Sequence, residues 1–346
     1  MSMPELAIES VEKNKIDKRS QRLSAGTEVL IKLGVYLIVV LFLIVGTLIS
    51  DKFLSVANLM NVIDAVALLG IVSTGVAFVT YSAHYADMSA PVIMAFSGLI
   101  AVEMIRFGLF LSILSGIGAG LLIGLVNAFV IGKLKANPII WTLAVSFLFG
   151  GFVRWIYGGT QIYPDIKADG ATSGAQFVAL SRTMLFGRIP LMVIVMIVVM
   201  LAGHFLLNRT GFGQQLKIVG SNRNVAKMSG INVSRTVGLA FMLSALTASI
   251  GGIFLASLTK IGAYYNGEGY DFNSVTAIVL GGMSLAGGRG SIGGVLGGVL
   301  SLGLLSNLMT LMGVDTFSQK IVKGIIFILV VGLNARSLRK AGRDDA

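Results

Sequence analysis

The chain contains no cysteine, which removes disulfides, thiolate metal centres and cysteine nucleophiles together. Histidine is nearly as scarce: His84 and His204 lie far apart, and neither sits in an HExxH or nucleophile-elbow pattern. Charge is thin, with Asp, Glu, Lys and Arg making up only 12% of the residues. Ten-residue stretches of alternating polarity are missing as well, so neither an ordinary soluble domain nor a membrane barrel fits. No glycine-rich run ends in Gly-Lys-Ser/Thr, so the chain has no nucleotide motif of its own. ATP-driven work would require a second subunit, and no catalytic set is visible.

What is present is apolar length. Of 346 residues, 55% are hydrophobic, and the mean hydropathy is +0.87. A helix needs about 20 apolar residues to cross roughly 30 Å of hydrocarbon. Runs of that kind place spans near 30 to 50, 58 to 81, 88 to 106, 109 to 132, 138 to 157, 190 to 207, 237 to 259, 273 to 284, 293 to 313 and 318 to 335. The fold class is all-α, a polytopic membrane protein with about ten transmembrane helices. The eighth span is short and glycine-interrupted, which suits a broken or re-entrant element packed inside protein. Glycine is abundant at 44 residues, and in lipid small residues let helices approach closely; Gly116, Gly118, Gly120 and Gly124 suit that role.

The formal charge of +11 could suggest nucleic acid. The basic residues sit in short loops, however, so topology explains them and no nucleic-acid partner is expected. Between Asn208 and Thr236 lie Arg209, Lys217, Arg223, Lys227 and Arg235 without one acidic residue. The positive-inside rule puts this 208–236 loop in the cytoplasm, together with Lys133, Lys135, Arg289 and both termini. Asp51, Asp165, Asp169, Glu268, Asp271 and Asp315 then fall outside. Residues 1–28 lack a small-residue cleavage site and read as a disordered cytoplasmic tail, 29–335 as one transmembrane domain and 336–346 as a second tail. The stretch from Gly158 to Arg188 faces outward, either as a binding loop or as a plain surface excursion.

Ionisable groups inside spans are costly, so Asp64, Asp87 and Glu103 attract attention. Asp87 is surrounded by Ser82, His84, Tyr85, Ser89 and Pro91. Pro91 disfavours helix just before it, so the helix is interrupted there; Asp87 then either faces a pathway or caps the next helix. A second interruption, Gly281 to Gly294, also follows an apolar span. Asn58 or Asn61 opens the first of these spans and Asn273 the second, the trace of an internal repeat.

The basic loop reads Asn208-Arg-Thr-Gly-Phe-Gly and then Ile218-Val-Gly-Ser-Asn-Arg-Asn-Val-Ala-Lys-Met-Ser-Gly-Ile-Asn-Val. It resembles the permease subunits of bacterial ribose, galactose and xylose type ABC importers. Phe53-Leu-Ser-Val-Ala-Asn-Leu-Met-Asn, Asn137-Pro-Ile-Ile-Trp-Thr-Leu, Tyr157-Gly-Gly-Thr and the glycine-rich run from Ala277 to Gly294 extend the likeness over most of the chain. The resemblance implies the type II ABC importer permease architecture in a bacterial inner membrane, and a coupling element at Gly220, Ser221, Asn222, Ala226, Ser229 and Gly230. Asp87, Ser89, Asn137 and Thr142 are assigned to the translocation pathway.

The implied partners are a cytoplasmic ATP-binding subunit carrying ATP and Mg, a periplasmic or lipid-anchored solute-binding protein, a second permease copy as homodimer or heterodimer, the lipid bilayer and a small polar solute of the sugar class. This chain itself holds no cofactor. One departure stands out: where members carry Gly-Gly-Ile-Asp-Leu-Ser-Val-Gly, this chain has Ala83-His-Tyr-Ala-Asp-Met-Ser-Ala, which keeps Asp87 and Ser89 and loses the glycines. Larger residues there are expected to reshape the approach to the cargo. Read without the resemblance, the residues also allow an ion- or proton-coupled transporter working through Asp87 or Glu103 without an ATPase.

Overall fold

Ser55, Asn137 and Ser291 each open a long helix by accepting a hydrogen bond from the backbone N–H three residues on, at 3.3, 3.2 and 3.1 Å. In the computed structural model, which describes residues 34–165, 172–185, 187 and 189–344, these caps start α2 (Val56–Tyr81), α5 (Pro138–Ile156) and α12 (Ile292–Leu311). The other elements are α1 (Gly34–Ile49), α3 (Ala90–Met104), α4 (Leu109–Asn127), α6 (Ser173–Arg182), α7 (Leu191–Arg209), α8 (Gly211–Ser221), α9 (Arg223–Met228), α10 (Val233–Thr259), α11 (Tyr270–Leu280) and α13 (Thr316–Asp344). A short 3-10 turn extends α3, and a π turn over Ala128–Lys133 extends α4. The expected tail over residues 1–28 lies outside the described residues.

The centre of the bundle is α2 against α10, both apolar on every side and therefore buried rather than amphipathic. Their approach depends on Gly75, where a Cβ would come within 2.8 Å of the Leu243 carbonyl oxygen. α3 joins through Gly98, which faces the Gly252 carbonyl oxygen at 2.7 Å on the same measure. Of the glycines expected to serve close packing, Gly116, Gly120 and Gly124 meet neighbouring helices and Gly118 meets nothing. α5 and α7 stay largely exposed at the periphery, the usual position for helices that face lipid or another subunit.

Among the described residues, seven helices are long and apolar enough to cross a membrane: α2, α3 with its extension, α4 with its π turn, α5, α7, α10 and α12. The expected eighth span is α11, only 11 residues long. Its brevity has a physical cause in the segment before it. Gly262 pairs with Ile162 through two backbone hydrogen bonds of 2.9 and 2.8 Å, beside Leu99. Gly267 lies against Pro91, eight residues back along α3. At 1.5 Å per residue the segment 260–269 descends about 12 Å into the bundle before α11 begins.

The described part of the stretch after α5 is anchored to the bundle. α6 is pinned to α10, with Ser257 Oγ donating to the Phe177 carbonyl at 2.7 Å and accepting from the Ser181 N–H at 3.0 Å. A two-residue hairpin, β1 (Met184–Leu185) with β2 (Ile189–Pro190), leads into α7.

Candidate functional site

The end of the bundle that carries the basic loop is built from three pieces of chain. The first is the turn 82–89 between α2 and α3. Its backbone enters the left-handed region at Ala83 (φ 61°) and Tyr85 (φ 58°), neither of them glycine. The second is the turn 281–291 between α11 and α12. It meets the first where the Gly288 N–H donates to the Tyr81 carbonyl at 2.9 Å, while Gly287 packs on Ala83. Its length suits the expected broken element, and its glycines keep two backbones in contact.

The third piece is the hairpin α8–α9. Leu216, Val219, Gly220 and Ala226 are buried and seat it on the bundle. Gly220 touches the Tyr81 carbonyl, where a side chain would collide. Asn222 caps α9, its Oδ1 accepting from the N–H groups of Asn224 (2.9 Å) and Val225 (3.2 Å). Gly230 ends the hairpin at φ 74°. Of the six expected coupling residues, Gly220 and Ala226 therefore face inward, Asn222 and Gly230 shape the backbone, and Ser221 and Ser229 are exposed. The outer surface also includes Val225, 49% exposed, and Met228, 88% exposed. The sequence reading passed over both, although two apolar residues three apart in a basic loop were a readable signal.

Deeper in the bundle, Asp87 is fully buried and held from several helices at once. One carboxylate oxygen accepts from the Ser89 N–H at 3.0 Å and from the Ser89 hydroxyl; the other accepts from Ser244 Oγ of α10 at 2.8 Å. Asn127 Nδ2 of α4 donates to Ser89 Oγ at 2.8 Å, and Trp141 Nε1 of α5 donates to Asn127 Oδ1 at 3.0 Å. Thr142 and Ser146 of α5 fasten the same turn, Thr142 Oγ1 accepting from the Met88 N–H at 3.2 Å and Ser146 Oγ donating to the Met88 carbonyl at 2.6 Å. Asp87, Ser89 and Thr142 thus come together. Asn137 stands apart as the exposed cap of α5. Asp64 and Glu103 are elsewhere, Glu103 facing Arg106 at 3.8 Å.

Next to this network, between α3, α5 and the descending segment, opens a cavity of about 330 Å³. Met88, Pro91, Ser146 and Gly150 form one wall, and Tyr264, Tyr265, Asn266, Glu268 and Asp271 the other. The Arg154 guanidinium stacks over the Tyr264 ring at 4.3 Å, and Lys320 pairs with Glu268 at 3.1 Å. Hydroxyls, an amide and carboxylates beside aromatic rings suit a small polyhydroxylated molecule. This cluster was missed in the sequence because only the descent of 260–269 brings it to α5.

Residues 58–331 match the family described as branched-chain amino acid transport system / permease component. The chain is 33% identical over 315 residues to the ribose import permease protein RbsC of Bacillus subtilis, covering 88% of this chain and 93% of that one. It is 32% identical over 300 residues to the L-arabinose transport system permease protein AraH of Escherichia coli (strain K12), covering 86% and 88%. To the xylose transport system permease protein XylH of the same strain it is 28% identical over 373 residues, covering 92% and 94%. No solved structure matches the chain.

Proposed function

The chain belongs to the family of branched-chain amino acid transport system permease components, and we propose that it is the membrane-spanning subunit of an ATP-binding-cassette importer for a small polar solute of the sugar class. The observation that carries this reading is the α8–α9 hairpin. Its inner face is packed on the ends of α2 and the 281–291 turn, while Val225 and Met228 point away among basic residues. An apolar knob framed by charge suits docking to a protein surface. On this reading the basic end is cytoplasmic, both termini included, and a separate ATP-binding subunit seats on α9.

The solute passes along the cavity lined by Ser146, Gly150 and the 264–271 residues. Ribose, arabinose or xylose, the solutes in the names of the relatives, are the first to test. Asp87, Ser89 and Thr142 form the wall behind the passage and hold the turn rather than the cargo. A proton- or ion-coupled transporter would use Asp87 directly. Its two oxygens already accept three hydrogen bonds, which favours the scaffolding role.

The test is co-purification with the ATP-binding subunit, followed by uptake in proteoliposomes. Val225→Asp and Met228→Asp change exposed side chains, so folding is spared while docking and uptake are expected to fall together. Ala226→Trp suits less well, because Ala226 is buried. Uptake that proceeds without any ATP-binding subunit and collapses with an uncoupler would overturn the proposal.

A further inference from the structure

Arg223 is an exposed residue of α9, yet its guanidinium turns back toward the bundle. Nη2 stands 2.9 Å from His84 Nε2 and 3.4 Å from Nδ1, so it lies against the face of the imidazole, and it donates to the Ala83 carbonyl oxygen at 3.4 Å. Ser82 holds the other side of the ring, its Oγ at 2.8 Å and its carbonyl oxygen at 2.9 Å from His84 Nδ1. The imidazole is packed edge-on against Phe241 of α10, with ring centres 6.1 Å apart, which restricts its swing.

We infer that the contact of Arg223 with His84 and the Ala83 carbonyl is a strut through which α9 displaces the Asp87 turn. The inference rests on the importer reading and deepens it by naming the side chains that carry the movement inward. Three observations support it. His84 lies three residues from Asp87, in a segment of alternating left-handed backbone closed by the Ala86 N–H to His84 carbonyl bond at 2.7 Å, so little slack separates them. The inward contacts of the hairpin at Leu216, Val219, Gly220 and Ala226 are packed surfaces that resist compression without transmitting a pull. A hydrogen bond with a charged donor transmits both push and pull. Finally, Lys217, another cation of the loop, is engaged elsewhere, on Asn208 Oδ1 at 3.2 Å. His84 is thus a positioning residue, acting on the pathway through the turn.

The experiment uses the complete assembly with its ATP-binding and solute-binding subunits in proteoliposomes. It reads uptake per ATP hydrolysed for whichever of ribose, L-arabinose and xylose the parent takes up. His84→Ala and Arg223→Gln are each expected to lower that ratio about fivefold to tenfold, while the ATP-binding subunit still co-purifies. The double variant should fall no further than either single one, and His84→Gln, whose amide oxygen can accept from arginine, should recover most of the loss. Arg223→Gln alters an exposed position and keeps the test available if His84→Ala folds poorly. An ATP-dependent parent whose variants keep the ratio, or losses that multiply in the double variant, would overturn the strut alone. Uptake by the parent without the ATP-binding subunit would overturn the importer reading and the strut with it.

Discussion

Asn58 of α2 and Asn307 of α12 exchange two side-chain amide hydrogen bonds, at 2.9 and 2.6 Å, and Asn58 also donates to the Phe53 carbonyl at 2.8 Å. A reciprocal amide pair in a lipid-facing bundle ties two helices at one height and register, with each amide satisfying the other. Asn307→Leu leaves Asn58 buried without this partner and is expected to cost about 1 kcal/mol. The double replacement Asn58→Leu with Asn307→Leu should recover part of the loss, since no orphaned amide then remains. Thermal unfolding in detergent for the two singles and the double checks this; a double loss equal to the sum of the two single losses would refute the pairing.

Ala83 and Tyr85 hold left-handed backbone at φ 61° and 58°, a region that favours glycine. A side chain in that region costs roughly 1–2 kcal/mol, and glycine gives back roughly half of the gain through its freer unfolded chain. Tyr85 is 54% exposed, so it has little packing to lose. Tyr85→Gly is therefore expected to raise stability by about 0.5–1 kcal/mol, read as an increased melting temperature. A fall would mean that the tyrosine ring makes a contact worth more than the strain.

Much of this molecule could be read along the chain, and the part that could not has a common cause. Helix positions followed from runs of apolar residues and from caps such as Asn137–Pro138, and the interruption at 82–91 followed from Pro91. Partners that depend on tertiary contact carry no such local mark. Nothing near Asp87 in sequence names Ser244 or Asn127, and nothing near His84 names Arg223. Nothing near Asn58 in sequence names its partner Asn307 either. His84 meets Arg223 of α9 because α2 ends against the α8–α9 hairpin.

Asp87 accepts three hydrogen bonds, two from Ser89 and one from Ser244. Asp87→Asn removes the charge and, with Oδ1 kept toward the Ser89 N–H, sets an NH2 group against Ser244, whose hydroxyl must turn from donor to acceptor. Folded yield and uptake are expected to decline together, by a stability loss on the order of 2 kcal/mol. Ser244→Ala, which removes one of the three donors, should show a milder version of the same parallel decline. Lost uptake at normal yield would instead favour Asp87 as an ion site. Fluorescence-detected size exclusion alongside vesicle uptake separates the two results.

Burial, and next to it the Arg223 guanidinium, hold the His84 imidazole down at about 4, against the hydrogen bond from Nδ1 to Ser82 that pulls upward. The folded protein thus prefers the neutral ring. Above pH 6.5 both folded and unfolded chains carry it neutral and the contribution is complete. As pH falls from about 6.5 toward 4, the unfolded chain takes up a proton that the folded one refuses, and stability declines by an amount on the order of 3 kcal/mol. His84→Gln should remove that part of the slope. Melting temperatures between pH 7 and 4.5 for parent and variant test this; identical slopes would show that the ring is not held neutral.

Gly150 offers a way to obstruct the cavity without disturbing the helix that borders it. It lines the cavity from α5, and a Cβ built there meets nothing within 4 Å, so the start of a side chain is accommodated. Replacing glycine inside a helix by leucine also removes about 1 kcal/mol of helix penalty. Gly150→Leu is therefore expected to leave the melting temperature equal or higher while its side chain projects toward Ser146 and the 264–271 wall. Uptake should fall, since a leucine side chain would occupy part of a cavity of only about 330 Å³. The smaller Gly150→Ala should keep most of it. If both variants transport like the parent, the solute travels by another route, and the aromatic and acidic side chains around Tyr264 need a different explanation.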